Sequence, residues 1–107
     1  MVDFRDRERA EEAKYALDEE TAFRVVARRN RLLGQWAAAR MELTPEESEA
    51  YGKAVVHAEF EEGGDESVIR KVLGDLIAAG CDVDEAAVRA ALEEKSVEAK
   101  RQLMTES

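Results

Sequence analysis

Few residues in this chain are of a type that could carry out covalent or redox chemistry. His57 is the single histidine and Cys81 the single cysteine, so a multi-histidine metal site or a Cys–His–Asp triad would lack members. Cys81 follows Gly80, a residue typical of helix ends, and we interpret its thiol as structural. One cysteine cannot form an intrachain disulfide, so a reducing, cytoplasmic compartment is expected. The sequence therefore predicts a binding or regulatory protein and not an enzyme.

Carboxylates are numerous, and one group lies close enough in sequence to gather a divalent cation: Glu59, Glu61, Glu62 and Asp65. Their spacing fits no calcium-binding loop. Gly63-Gly64 precedes a helix start but lacks the lysine and hydroxyl residue of a phosphate-binding loop. We therefore expect neither a metal nor a cofactor, while a weak contact with a nucleotide stays open.

The distribution of charge argues against general binding to nucleic acid. The net charge is −9, and residues 42–66 contain nine acidic residues against one basic residue, whereas phosphate contacts need clustered cations. Arg24, Arg28 and Arg31 share a helix face, with Glu20 placed to pair with Arg24. We interpret this face as solvated, with salt bridges to the acidic second helix. No apolar run is long enough to cross a membrane, so direct membrane insertion is not expected.

Composition and periodicity predict an all-α fold, a four-helix bundle. Charged residues make up 38% of the chain, Pro45 is the only proline, and no strand-length alternation occurs. The first helix, at about residues 18–40, has two adjoining apolar stripes, which is typical of a central helix. The stripes are Phe23, Val26, Asn30, Leu33 and Ala37, and Val25, Arg29, Leu32, Trp36 and Ala39. The short links at about residues 41–43, 63–64 and 80–83 favour antiparallel neighbours.

Local patterns also predict how the helices begin and end. Thr44, followed by proline and by glutamate at the third helical position, forms a capping box for the second helix, whose inward stripe ends near Phe60. Asp65 and Asp84 are expected to cap the third and fourth helices. Gly34 lies in the middle of the first helix, which predicts a close crossing with another helix beside Trp36.

Residues 1–20 are expected to form a mobile or extended N-terminal arm on a bundle of residues 21–107. The arm is dense in both charge signs and has a thin apolar stripe, so alone its helix would be marginal. Phe4 and Tyr15 are three helical turns apart and would share one face. One interpretation is that both aromatic side chains anchor the arm in a groove of a partner protein. The other is that Tyr15 packs on the bundle and Phe4 is an incidental apolar residue near the chain end. Composition alone favours the second interpretation.

The sequence resembles one family, the zeta subunit of alphaproteobacterial F-type ATP synthases, which are ATPase inhibitors. The resemblance covers essentially the whole chain. Its most specific part is the run Ala27-Arg28-Arg29-Asn30-Arg31-Leu32-Leu33-Gly34 followed by Trp36-Ala37-Ala38. The arm agrees at Phe4, Asp6-Arg7-Glu8, Ala10, Glu12, Ala13-Lys14, Ala16 and Asp18-Glu19, and Gly64-Asp65-Glu66 agrees at the third helix.

The resemblance implies a function that composition does not supply. It implies that the arm inserts into a catalytic α/β interface beside the rotor and blocks ATP hydrolysis, which favours partner anchoring for Phe4 and Tyr15. The implied partners are the alpha, beta and gamma subunits of the catalytic head, bound by a protein that is monomeric when free and peripheral to the inner membrane through the synthase. The implied binding residues are Phe4, Asp6, Arg7, Glu8, Ala10, Glu12, Lys14 and Tyr15.

Two other functions remain as alternatives at this point. One is a small regulatory bundle that binds adenine nucleotides. The other is an acidic chaperone or adaptor that binds a basic partner through residues 42–66, and such a complex would be sensitive to salt.

Overall fold

The chain folds into four α-helices joined by short links. The computed structural model describes the backbone of residues 4–106 and the side chains of residues 19–61 and 63–106. The helices are α1 (Phe4–Arg40), α2 (Pro45–Ala58), α3 (Asp65–Ala78) and α4 (Glu85–Glu106), with a π-helical turn, Glu59–Gly63, between α2 and α3. No strand occurs within residues 4–106. The prediction of an all-α, four-helix protein is confirmed.

Helix α1 is the central element, because it packs on α2, α3 and α4. Leu33 of α1 is fully buried, and it belongs to one core with Val55 of α2, Leu76 of α3 and Val88 of α4. Trp36 packs against this core while staying partly exposed. Helix α1 thus contacts more than one neighbouring helix, as the sequence predicts for the central helix.

The start of α1 differs from the prediction. The first helix was expected to begin at about Asp18, but α1 begins at Phe4 and crosses the expected boundary at residue 20 without a break. Residues 2–20 contain neither glycine nor proline and are rich in alanine, glutamate and arginine, so no local feature ends the helix there. The division into arm and bundle stays a prediction.

Two of the three predicted helix caps are observed. The Thr44 hydroxyl accepts from the Glu47 backbone N–H, and the Glu47 carboxylate accepts from the Thr44 backbone N–H. Asp84 Oδ1 accepts from the backbone N–H of Ala87 at 2.9 Å. The prediction for Asp65 is wrong, because Asp65 is inside α3, the cap residue is Gly64, and no side chain caps this end.

The close crossing predicted at Gly34 is between α1 and α2. A Cβ atom built on Gly34 would lie 2.6 Å from the Cα atom of Gly52. Both glycines are buried, and the missing side chains let the two backbones approach. The crossing therefore needs residues without side chains at these two positions. The packing that this close approach allows offsets the cost of about 1 kcal/mol that glycine carries within a helix relative to alanine.

Replacing Gly34 by alanine should lower the free energy of unfolding by about 1–3 kcal/mol, because the added methyl group must push the α2 backbone away. Gly74→Ala is the matched control: Gly74 lies exposed within α3, and an added Cβ would meet nothing within 4 Å. That substitution should raise stability by about 0.5–1 kcal/mol through helix propensity. Urea denaturation followed by circular dichroism measures both, and equal effects of the two substitutions would contradict the account of the crossing.

Candidate functional site

The binding residues implied for the arm lie in the N-terminal part of α1. Phe4 is the first residue of α1, and Tyr15 follows within the same helix. Their side chains lie outside the described residues, and the same holds for Asp6, Arg7, Glu8, Ala10, Glu12 and Lys14. Side chains are described from Glu19 onwards, and Glu19 and Glu20 are exposed. The described geometry of the site therefore begins where the arm joins the bundle.

The residues with potential chemistry are dispersed. His57 is exposed on α2. The Cys81 thiol donates to the backbone carbonyl oxygen of Arg40, with 3.4 Å between sulfur and oxygen, as fits a structural cysteine. Among the side chains of residues 19–61 and 63–106, no three histidines, cysteines or carboxylates gather into a metal-binding group.

A buried arginine pairs with two of the four carboxylates clustered in the sequence. Arg29 of α1 is 7% exposed, and its Nη2 lies 2.9 Å from Asp65 Oδ1 and 3.5 Å from Glu59 Oε1. Its Nε donates to Asn30 Oδ1 at 3.1 Å. Glu59 begins the π-helical turn and Asp65 begins α3, so one guanidinium group joins three elements. The carboxylates of this cluster are thus held by a protein cation.

Burial and pairing move the pKa values of the two carboxyl groups in opposite directions. Burial raises the pKa of Glu59 above its ordinary value, against the opposing effect of Arg29. The hydrogen bond from Arg29 lowers the pKa of Asp65. Glu59 Oε2 and Asn30 Nδ2 are buried without a hydrogen-bond partner among the described residues. The ionised form is therefore disfavoured at Glu59 and favoured at Asp65.

A pair of aromatic rings is exposed beside this cluster. Phe23 of α1 and Phe60 of the π-helical turn stack with 5.0 Å between ring centroids and 27° between planes. Phe23 is 57% exposed and Phe60 49% exposed. Both were expected on inward apolar stripes, and that prediction is wrong. Phe60 continues from α2 through a π-helical turn, which changes the residues per turn and so the direction in which its side chain points.

None of the three arginines on the predicted face, Arg24, Arg28 and Arg31, forms an ion pair with a described acidic residue of the second helix. Arg28 pairs with Glu106 at the end of α4, with Nη2 3.1 Å from Oε2, and also donates to Gln102. The predicted pair of Arg24 with Glu20 is present at 3.1 Å, with both side chains exposed. The expected salt bridges from this face to α2 are therefore wrong, because α4 ends against this part of α1.

Comparison with known families decides what kind of protein this is. A sequence model described as ATPase inhibitor subunit zeta matches residues 1–102. The chain belongs to the ATPase inhibitor subunit zeta family. The match includes the whole arm and nearly all of the bundle, so the resemblance drawn from residues 27–38 and from the arm is confirmed.

A solved structure supports the fold of this zeta subunit. It is described as a solution NMR structure, is 47% identical in sequence, and aligns over 79% of this chain and 96% of its own with a TM-score of 0.70. A search of curated proteins gave no match. The family is one of inhibitor subunits, which confirms the prediction that the chain is not an enzyme, and it implies association with ATP synthase. Within the described residues, no helix is both long and apolar enough to span a membrane.

The Arg29 cluster of this zeta subunit was missed at the sequence level, although one feature pointed to it. Arg29 falls on an apolar stripe of the first helix, where an arginine has to be paired if it is buried. The densest acidic stretch of the chain follows α2 and contains both partners, Glu59 and Asp65. An arginine on an inward stripe together with one acidic stretch is thus enough to suggest the pairing.

Replacing Arg29 by leucine should lower the free energy of unfolding by about 3 kcal/mol at neutral pH, because Glu59 would keep a buried charge without a partner. Losing the cation raises the pKa of Glu59 further. When the pKa of a carboxyl group is higher in the folded than in the unfolded state, the free energy of unfolding falls as pH rises between the two pKa values. The loss of stability of the variant relative to the original protein should therefore shrink as pH falls from 7 towards 5. Urea denaturation at several pH values measures this.

The double variant Arg29→Leu with Glu59→Gln provides the control for that experiment. It removes the orphaned charge, so it should recover part of the lost stability and lose most of the extra dependence on pH. A deficit that stays constant with pH, or a double variant less stable than the single one, would contradict the assignment of Glu59 as the buried charge.

Proposed function

We propose that this zeta subunit blocks ATP hydrolysis by inserting its arm, residues 1–20, into a catalytic α/β interface beside the rotor of the F-type ATP synthase. The partners are then the alpha, beta and gamma subunits of the catalytic head, and residues 21–107 form the anchoring bundle. The free protein is a cytoplasmic monomer that becomes peripheral to the inner membrane through the synthase. The observation that carries the proposal is the family match, which extends over the whole arm as well as the bundle.

The composition of the arm supports a role in binding. Its apolar stripe consists of Ala10, Ala13 and Leu17, which offer little surface for packing on a core. A helix that is only marginally stable alone loses conformational freedom when a partner holds it, and contacts with that partner have to offset the loss. Among the described side chains, the main core cluster of the bundle lies between Leu33 and Leu92, outside the arm.

Inhibition of this kind requires no chemistry from the inhibitor. A helix that binds one rotational state of the motor more tightly than the others shifts the population towards that state. To move an equilibrium from 1:99 to 99:1, the preference has to be about 10⁴-fold. The lack of a catalytic cluster among the described side chains is compatible with such a mechanism.

Deleting residues 1–20 should abolish inhibition of a matching ATPase head, because the inserted element is gone. The bundle should stay folded, since the main core cluster of the described side chains lies outside the arm. Steady-state ATP hydrolysis with increasing amounts of full-length or truncated protein measures the first effect, and circular dichroism with a thermal melt checks the second. A truncated protein that is folded and inhibits as well as the full chain would show that the arm assignment is wrong.

The aromatic residues of the arm provide a finer test. Phe4→Ala combined with Tyr15→Ala should raise the concentration for half-inhibition by about 30-fold or more, because anchor side chains each contribute about 1–2 kcal/mol or more to an interface. Ile77→Ala serves as control, since Ile77 is a large apolar residue 58% exposed on α3, far along the chain from the arm. If the control and the arm variant inhibit alike, Phe4 and Tyr15 are not anchors.

A further inference from the structure

We propose that the face of α1 just after the arm is a second contact with the synthase, which docks on an acidic surface with an apolar depression at the rim of the cleft that receives the arm. We call this face the aromatic–arginine patch and define it as Phe23, Arg24, Arg28, Arg31 and Phe60. The proposal rests on the proposed function, because it takes the arm to be bound in such a cleft.

The stacked rings are the apolar part of the patch. Phe23 and Phe60 cover one face of each other, yet about half of each side chain remains in contact with water. Large aromatic residues are usually buried in a folded protein. Two of the three phenylalanines of this chain nevertheless form this exposed pair, and the third, Phe4, lies in the arm. Aromatic and arginine side chains are also the residue types enriched where interfaces gain most of their binding energy.

The charge around the rings selects an acidic partner. Arg24, Arg28 and Arg31 border one shallow cleft with Phe23, and only Glu106 is acidic among the residues that line it. Arg24 is paired with Glu20 in an exposed contact that a partner carboxylate can replace. Arg31 is exposed and forms no ion pair with a described side chain. The cleft beside Phe23 is therefore locally basic on a chain with a net charge of −9.

The position of the patch on α1 indicates where the acidic surface has to be. Phe23 follows the last arm residue, Glu20, within one helical turn, about 4.5 Å along the helix axis. A protein that holds residues 1–20 must therefore have its own surface next to the patch.

A second copy of this chain is a poor occupant. Both copies would carry the same net charge of −9 and repel each other at low salt. The rim of the arm-binding cleft is the occupant that needs no additional protein.

The test uses the full chain and a matching ATPase head. Phe23→Ala with Phe60→Ala should raise the concentration for half-inhibition about tenfold while leaving complete inhibition attainable, because the arm is intact. Arg24→Gln with Arg31→Gln should raise it severalfold at low salt and weaken its dependence on salt. Ile77→Ala and Arg70→Gln, both on exposed positions of α3, are the matched controls and should change neither value.

Direct binding of the same proteins to the immobilised head separates the two proposals. If the full chain binds the head without inhibiting it, the proposed function fails, and the patch stands or falls by whether its variants bind more weakly than the controls. If inhibition is normal but the patch variants match the controls, the patch proposal is overturned and the proposed function stands. A full chain that neither binds nor inhibits overturns both.

Discussion

A buried guanidinium group has to be neutralised where it lies, and Arg29 is neutralised by carboxylates from two other elements, Glu59 and Asp65. Such a cluster adds little net stability, since taking the charges out of water offsets most of their attraction. It does restrict the arrangement, because sliding α1 along α3 would leave Glu59 buried and unpaired. The register between the central helix and the π-helical turn follows from this requirement, and that register places Phe60 on Phe23.

The contact between α1 and α2 rests on steric fit instead of charge. Gly34 and Gly52 let the two backbones meet, and Arg31 passes its aliphatic stem over Gly52. Arg31 as a whole residue stays exposed. On α1, the glycine of the crossing and the exposed arginine are thus three residues apart in one sequence run, Ala27 to Gly34.

Local sequence patterns were sufficient to predict most helix ends and the four-helix architecture. Thr44 and Asp84 cap their helices as predicted, because a cap depends on residues within one turn. Asp65 has the same local pattern but binds Arg29, and no local rule shows which of two hydrogen-bonding options a carboxylate takes. The tertiary context decides between them, and it also explains the partner of Arg28 on α4.

The functional residues could be predicted only in part, for a similar reason. Spacing placed Phe4 and Tyr15 on one face, but composition did not distinguish a partner anchor from an incidental residue, and only the family resemblance did so. Phe23 and Phe60 have helical spacing typical of core residues, so periodicity assigned them to the interior. The π-helical turn that exposes Phe60 has no dependable sequence pattern, which is why the aromatic–arginine patch could be recognised only in three dimensions.

Helix α1 extends from Phe4 to Arg40 without interruption, and this continuity fixes the distance between any two of its residues. Each residue adds about 1.5 Å, so Phe4 and Phe23 are separated by about 28 Å along the axis. Each residue also turns the helix by about 100°, so inserting a single residue between them would swing one end sideways relative to the other. Length and phase of this segment are thereby coupled, because a change in the number of residues alters both the distance between the two ends and their relative direction.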